Sequence, residues 1–228
     1  MILAAGKGTR LKPFTDTMPK ALFPVNGIPL LEIILKKLYS FGTKEIIINT
    51  HHFQDIIVDF LKLNDYFNLN IQISEESELL ETGGGLKKVS WFFNGNDPFI
   101  VHNVDILSDI NFNELVENHC NNKSLATLAV TERTSSRYFL FDNNLELKGW
   151  KNLNTGSEKV FSMQSLQNFA FSGIQVLSPE IFSLMPNDNI FSLTDLYLQL
   201  CTKNRIKAFI HNSNHWKDVG KAEEWLKQ

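Results

Sequence analysis

Over its first 105 residues the chain alternates short apolar runs with stretches of helical spacing, and this most restricts its fold. Residues 1–4 read as a strand. Leu30, Leu31, Ile34, Leu35, Leu38 and Phe41 keep one helical face from a start at Pro29 to a cap at Gly42. Residues 45–49 form an apolar run of buried-strand type. A helix near 53–63 and a strand near 70–74 follow; Thr82 to Gly85 precede a helical stretch near 86–93, and Phe99–Asn103 is a further strand running to Val104-Asp105. The order β-α-β-α-β predicts an α/β fold: a Rossmann-like three-layer sandwich on a mixed, mainly parallel central sheet.

The second half is less regular. It predicts a helix through Leu115-Val116, a strand over 126–130 and a hairpin around Asn143-Asn144. Further on come a strand over 171–176, a short helix from Ser178-Pro179, and a helix near 192–202 with Ser192 as cap. A strand near 206–210 leads to Trp216–Gly220 and a final helix. The polar stretch 151–167 reads as a mobile loop, and Asp109 as the cap of the helix after it. Without a linker or repeat, residues 1–228 read as one domain with two halves, 1–110 and 111–228.

The first strand runs into Gly6-Lys7-Gly8-Thr9-Arg10-Leu11-Lys12-Pro13, and Pro19-Lys20 follow. Gly6 and Gly8 let backbone N–H groups turn toward an anion, Arg10 can fork onto phosphate oxygens, and lysines add point charge. A P-loop needs G-x-x-x-x-G-K-[ST], which is absent. A dinucleotide turn needs a third glycine where this chain has Leu11, and an acid where the second strand ends in Asn49. Pro13 and Pro19 keep a helix from starting after Gly8. The segment is a long, irregular, basic phosphate loop. Ligands bind at the carboxyl ends of parallel strands. The loop, Asn49–His52, residues 75–85 and Asp105 are therefore expected to line one crevice.

A net charge of −3 offers no field for nucleic acid. Cys120 and Cys201 lack metal-ligand spacing and read as free, buried thiols of a reducing, cytoplasmic compartment. There is no signal-peptide pattern and no apolar run of about 18 residues.

The run Leu3–Pro13, then Thr15 and Pro19-Lys20-Ala21-Leu22-Phe23-Pro24-Val25, resembles the signature of the sugar-1-phosphate nucleotidylyltransferases. Leu80-Glu81-Thr82-Gly83-Gly84-Gly85 is similar to the short N-acetylmuramate α-1-phosphate uridylyltransferase branch, with mannose-1-phosphate guanylyltransferase-like proteins close by. The resemblance implies the nucleotide-diphospho-sugar transferase type of fold, here without a C-terminal β-helix, with 1–110 as the nucleotide-binding half and 111–228 as the sugar-phosphate-binding half. It implies Mg²⁺ on Asp105 and Asp218, with Arg10 and Lys20 as catalytic cations. The nucleotide would lie against Ala4, Ala5, Gly6, Gly8, Thr9, Glu81, Thr82, Gly83 and Gly84, and the sugar against Asn49 and Gly173. Three glycines would let a base lie on exposed amides. The partners implied are an NTP and a sugar-1-phosphate, such as UTP with N-acetylmuramate 1-phosphate or GTP with mannose 1-phosphate. They include neither nucleic acid nor membrane, and the protein would be a monomer or small homo-oligomer.

One departure is Val104, where the family has glycine. It is expected to press on the ligand, and it keeps open a sugar-nucleotide-binding regulator without turnover. A cytidylyltransferase acting on phosphocholine would want an aromatic box for the quaternary ammonium. Asn49-Thr50-His51-His52 suggests a polar contact rather than zinc, since neighbours on an extended chain point apart. The pair Glu158-Lys159 reads equally as a sugar contact or a solvated pair, and His102, Asn103 and His119 read as structural.

Overall fold

The structure, a computed structural model, describes residues 1–212 and 214–220. In chain order the elements are β1 (Ile2–Leu3), β2 (Pro24–Val25), β3 (Ile28–Pro29), α1 (Leu30–Phe41), β4 (Glu45–Thr50), α2 (Gln54–Leu63) and β5 (Asn70–Glu75). Next are α3 (Glu81–Lys88), β6 (Phe99–Asn103), β7 (Ile106–Leu107), α4 (Phe112–Asn122), β8 (Ala126–Thr131), β9 (Arg137–Phe141) and β10 (Leu147–Asn152). The chain continues with β11 (Ser157–Val160), β12 (Gln167–Leu177), α5 (Leu193–Leu200), β13 (Ile206–Ile210) and β14 (Lys217–Asp218). The expected final helix lies outside the described residues. The chain divides into one unit of 1–80, 102–108 and 217–228, and a second of 81–101 and 109–216.

The first unit holds the parallel strands. β1 pairs in parallel with β4 and with the end of β6, and β4 pairs in parallel with β5. Ile46, Ile47 and Ile48 are fully buried, as a strand covered on both faces requires. Helix α1 buries Leu30, Leu31, Ile34, Leu35 and Leu38, each worth roughly 1.5–3 kcal/mol of transfer free energy. It stops at Gly42, whose φ of +95° lets its N–H reach back to Leu38 and Tyr39 carbonyls. Pro29 is the cap residue rather than the first helical one.

The second unit is mainly antiparallel. β12 pairs with β9 and β8, β9 with β10, and β10 with β11, all antiparallel, while β8 and β13 are parallel. Here the sequence reading needs correction at four places. Residues 157–160 form an edge strand inside the stretch read as a loop. Both its faces are exposed, so no apolar alternation marks it. Helix α3 starts at Glu81, so Gly83–Gly85 lie within it rather than before it. The cap of α4 is Asn111, whose side chain accepts from the N–H groups of Asn113 and Glu114; Asp109 is not. Cys201 is buried but Cys120 is exposed, and both are free. Ser192 caps α5 as expected. No helix among the described residues is long and apolar enough to cross a membrane.

Candidate functional site

The phosphate loop leaves β1 at Leu3 and passes through three single 3-10 turns, at Thr9–Leu11, Phe14–Asp16 and Lys20–Leu22. Leu11 anchors it in a cluster with Phe23, Val25, Leu30 and Val219. Gly8 sits at φ +63°, and a Cβ there would stand 2.8 Å from Thr15 Cγ2 and 3.1 Å from Lys20 Cβ. Thr15 Oγ1 donates to the Gly8 carbonyl at 2.8 Å, which locks this turn. Gly6 differs: a Cβ there would meet nothing within 4 Å. Its φ is not left-handed either, so the fold itself does not demand glycine at 6. Ala4, Gly6, Lys7, Lys20, His52 and Phe53 face one small concavity. Ala5 is buried and Thr9 exposed.

Four charged side chains meet beside this loop. Lys20 Nζ is ion-paired with Asp105 Oδ2, the two side chains being 11% and 15% exposed. Arg10 Nη1 lies 3.6 Å from Asp218 Oδ2. The two aspartates are joined by a short antiparallel ribbon of β7 and β14, in which Asp218 faces Ile106 and Val219 N–H donates to the Asp105 carbonyl at 2.9 Å. Gly220 N–H donates to Asp218 Oδ1 at 3.0 Å. A Cβ on Gly220 would stand 2.8 Å from Lys20 Nζ, 2.9 Å from Arg10 Nη2 and 2.9 Å from Asp105 Oδ2. The glycine therefore marks where these charges converge.

Two carboxylates on one ribbon fit a hard divalent cation such as Mg²⁺. No group of three or more His, Cys, Asp or Glu suited to a metal occurs among the described residues, so a cation here would complete its shell with phosphate and water oxygens. Val104, where the family has glycine, sits without a left-handed backbone. It is buried, its N–H donates to the Leu3 carbonyl at 3.0 Å, and its φ is one that valine adopts freely.

Asn49 was expected to touch the sugar. It is instead buried inside β4, where its Oδ1 accepts from Ala4 N–H at 2.8 Å and its Nδ2 donates to Glu76 Oε1 at 2.6 Å. A buried polar residue needs such partners, and they tie the loop root at Ala4 to the end of β5 at Glu76. His51 and His52 do not point apart: their rings touch, with centroids 4.1 Å apart, and His51 Nδ1 is 2.7 Å from the Glu76 carbonyl.

In the second unit, Glu81 opens α3 with a left-handed φ of +60°, a conformation a glutamate holds only where its surroundings impose it. Thr82 Oγ1 accepts from Leu193 N–H at 3.0 Å. The amides of Gly83 and Gly84 both donate to the Phe191 carbonyl, at 2.9 and 3.2 Å. A Cβ on Gly83 would stand 2.3 Å from the Phe191 ring. These amides are thus occupied and the face of Gly83 is filled, which corrects the expectation of open amides under a base. Gly173 has φ +76° in the irregular stretch of β12 opposite β8, a bend that favours glycine. Lys159 pairs with Asp195 at 3.3 Å rather than with Glu158. His119 is structural as expected, its ring nitrogens 3.0 Å from Thr127 Oγ1 and Ser178 Oγ.

Burial pushes the pKa of His119 down to about 4. His102, in the first unit, is lowered to about 4 chiefly by burial as well. The sequence reading missed a cavity of about 230 Å³ lined by Arg133, Arg137, Tyr138, Trp150, Phe171 and Thr194, among others. Arg133 is committed: its guanidinium lies over the Trp216 ring at 4.0 Å and donates to the Phe171 carbonyl. Arg137 is exposed. Arg133 and Arg137, four apart with Tyr138 beside them, were the available signal.

The family model for nucleotidyl transferases matches residues 1–228. The chain belongs to the nucleotidyl transferase family. It is 31% identical to an N-acetylmuramate alpha-1-phosphate uridylyltransferase of Neisseria meningitidis, across 96% of this chain and 92% of that protein. It is 28% identical to a UTP–glucose-1-phosphate uridylyltransferase of Synechocystis, across 99% of this chain. It spans only 61% of the length of that relative. A putative glucose-1-phosphate thymidylyltransferase of Bacillus anthracis superposes with a TM-score of 0.81 at 22% identity, covering 99% of this chain and 91% of that one. The nucleotidyl transferases thus share the expected fold class, with parallel strands at the centre of a mixed sheet and helices flanking it.

Proposed function

We propose that the protein transfers a nucleotidyl group from an NTP to a sugar-1-phosphate. The observation that carries this reading is the meeting of Arg10, Lys20, Asp105 and Asp218 around Gly220, beside a glycine loop with open space at Gly6. A phosphate oxygen of the sugar-1-phosphate attacks the α-phosphorus; the new P–O bond forms as the bond to the β-phosphate oxygen breaks, and pyrophosphate leaves with the electron pair. The attacking oxygen is already anionic, so no base is needed. Catalysis is positioning and charge stabilisation. Arg10 holds the departing phosphates. Lys20 bridges the α-phosphate and the sugar phosphate, which compete with Asp105 for its ammonium. Asp105 and Asp218 would hold Mg²⁺, which when bound neutralises phosphate charge.

For substrates we favour UTP with N-acetylmuramate α-1-phosphate, and for location the cytoplasm, whose reducing conditions suit the free thiols of Cys120 and Cys201. Support comes from the near-complete overlap with the Neisseria relative. The test is pyrophosphate release for UTP, GTP, CTP and dTTP against several sugar-1-phosphates. Release greatest with UTP and N-acetylmuramate α-1-phosphate is expected. Preference for GTP and mannose 1-phosphate would overturn the substrate choice, and binding without release would favour a regulator.

A further inference from the structure

Glu76 follows β5, is 2% exposed, and every polar group it has is engaged. Its N–H donates to the Thr50 carbonyl at 2.7 Å, and its carbonyl lies 2.7 Å from His51 Nδ1. Its Oε1 accepts from Asn49 Nδ2 at 2.6 Å, and its Oε2 accepts from Leu80 N–H at 3.1 Å. Asn49, itself 3% exposed, accepts from Ala4 N–H. Among the described residues no cation forms an ion pair with Glu76, so hydrogen bonds alone offset the burial of this carboxyl group.

We infer that Glu76 is a positioning residue for nucleotide binding, holding the root of the phosphate loop through Asn49 and fixing Leu80, the residue that leads into the strained Glu81. The inference rests on the proposed reaction for its readout. Its force comes from the direction of the bonds. Both ends of the relay are backbone N–H groups, at Ala4 and Leu80, and these can only donate. Asn49 must therefore turn its oxygen to Ala4 and its amino group to Glu76. Glu76 must accept at both oxygens, which a carboxylate does and an amide cannot. Glutamine at 76 has nearly the same shape, yet it leaves two donors facing each other whichever way either amide is turned. The loop root or Leu80 then loses its tether.

The same logic supplies a rescue. Aspartate at 49 accepts from Ala4 N–H and from the amino group of a glutamine at 76, whose oxygen accepts from Leu80. The double variant Asn49→Asp/Glu76→Gln therefore satisfies every donor again with one carboxylate and one amide.

The experiment measures KM for the NTP, KM for the sugar-1-phosphate and kcat, with circular dichroism to establish folding. Glu76→Gln is expected to raise KM for the NTP roughly ten- to a hundredfold, the effect of an unpaired buried donor. KM for the sugar-1-phosphate should hardly move, and the double variant should restore NTP affinity to within about threefold. A folded Glu76→Gln protein with unchanged KM for the NTP overturns the inference, since a merely structural role would lower thermal stability only. If Glu76→Gln does not fold, the double variant decides alone: it must fold and bind the NTP as the wild type does, and failure overturns the inference. Wild type that releases no pyrophosphate contradicts the reaction instead. The inference is then read from calorimetric affinity for MgUTP in the same three proteins, with the same expected and contrary results.

Discussion

Two glycine segments carry the strongest patterns in this chain, and the structure uses them in opposite ways. At Gly6 a side chain would meet only open space, so the glycine has no task in the fold and leaves room for something else. At Gly83 the space is taken by Phe191, ring and carbonyl together, so the glycine serves packing of α3. Gly8 lies between the extremes, with a left-handed φ and no room for a Cβ beside Thr15 and Lys20. A run of glycines thus does not mark a ligand; a glycine that the surrounding atoms do not require is better evidence for one.

The largest effect expected on this contrast is at the charged end of the loop. Lys20→Ala should leave the fold intact and lower turnover a hundredfold or more, since removing one preorganised charge or donor removes about 2.7–4 kcal/mol of transition-state stabilisation. Steady-state pyrophosphate release checks this, and near-normal turnover in the folded variant would remove the loop from the chemistry.

Acid should act on the two units through one buried histidine each, His102 and His119. Both are held neutral, with folded pKa values near 4 against about 6.5 when unfolded. The unfolded chain therefore binds more protons between those values. The stabilisation is present above about pH 6.5 and is lost as pH falls toward 4, by an amount on the order of 3 kcal/mol for each histidine. Urea unfolding from pH 7 to pH 4 measures it, and a flat profile contradicts the burial argument.

Gly83→Ala comes next. A Cβ 2.3 Å from the Phe191 ring should cost about 1–3 kcal/mol as overpacking, seen as a lowered melting temperature. Gly6→Ala is the smallest effect on stability, within about 0.5 kcal/mol of wild type, while KM for the NTP rises. If Gly6→Ala destabilises and Gly83→Ala does not, the contrast between the two segments fails.

Much of the first unit was legible because its strands are buried on both faces and read as apolar runs, as Ile46–Ile48 do, and because α1 has one clean apolar stripe ending at Gly42. What escaped reading was set by distant partners. Three glycines disfavour a helix, yet α3 begins before them because the Phe191 carbonyl takes two of their amides and Thr82 ties to Leu193. Asn49, polar at a strand end, looked like a ligand contact; only the fold shows that Ala4 and Glu76 claim its amide. The pairing of Asp105 with Asp218 could be named from the motifs, but the ribbon joining them links segments more than a hundred residues apart. The arginine-lined cavity draws on the β8–β9 connection, β9, β10, β12 and α5, so Arg133, Arg137 and Tyr138 were its local signal but the residues that complete it are distant in sequence.

The most direct measurement is pyrophosphate release by the intact chain with Mg²⁺ and UTP, with and without N-acetylmuramate α-1-phosphate. The account predicts release that depends on the sugar-1-phosphate and yields one UDP-sugar per pyrophosphate. Tight nucleotide binding with no sugar-dependent release, under UTP or any other NTP, would contradict it.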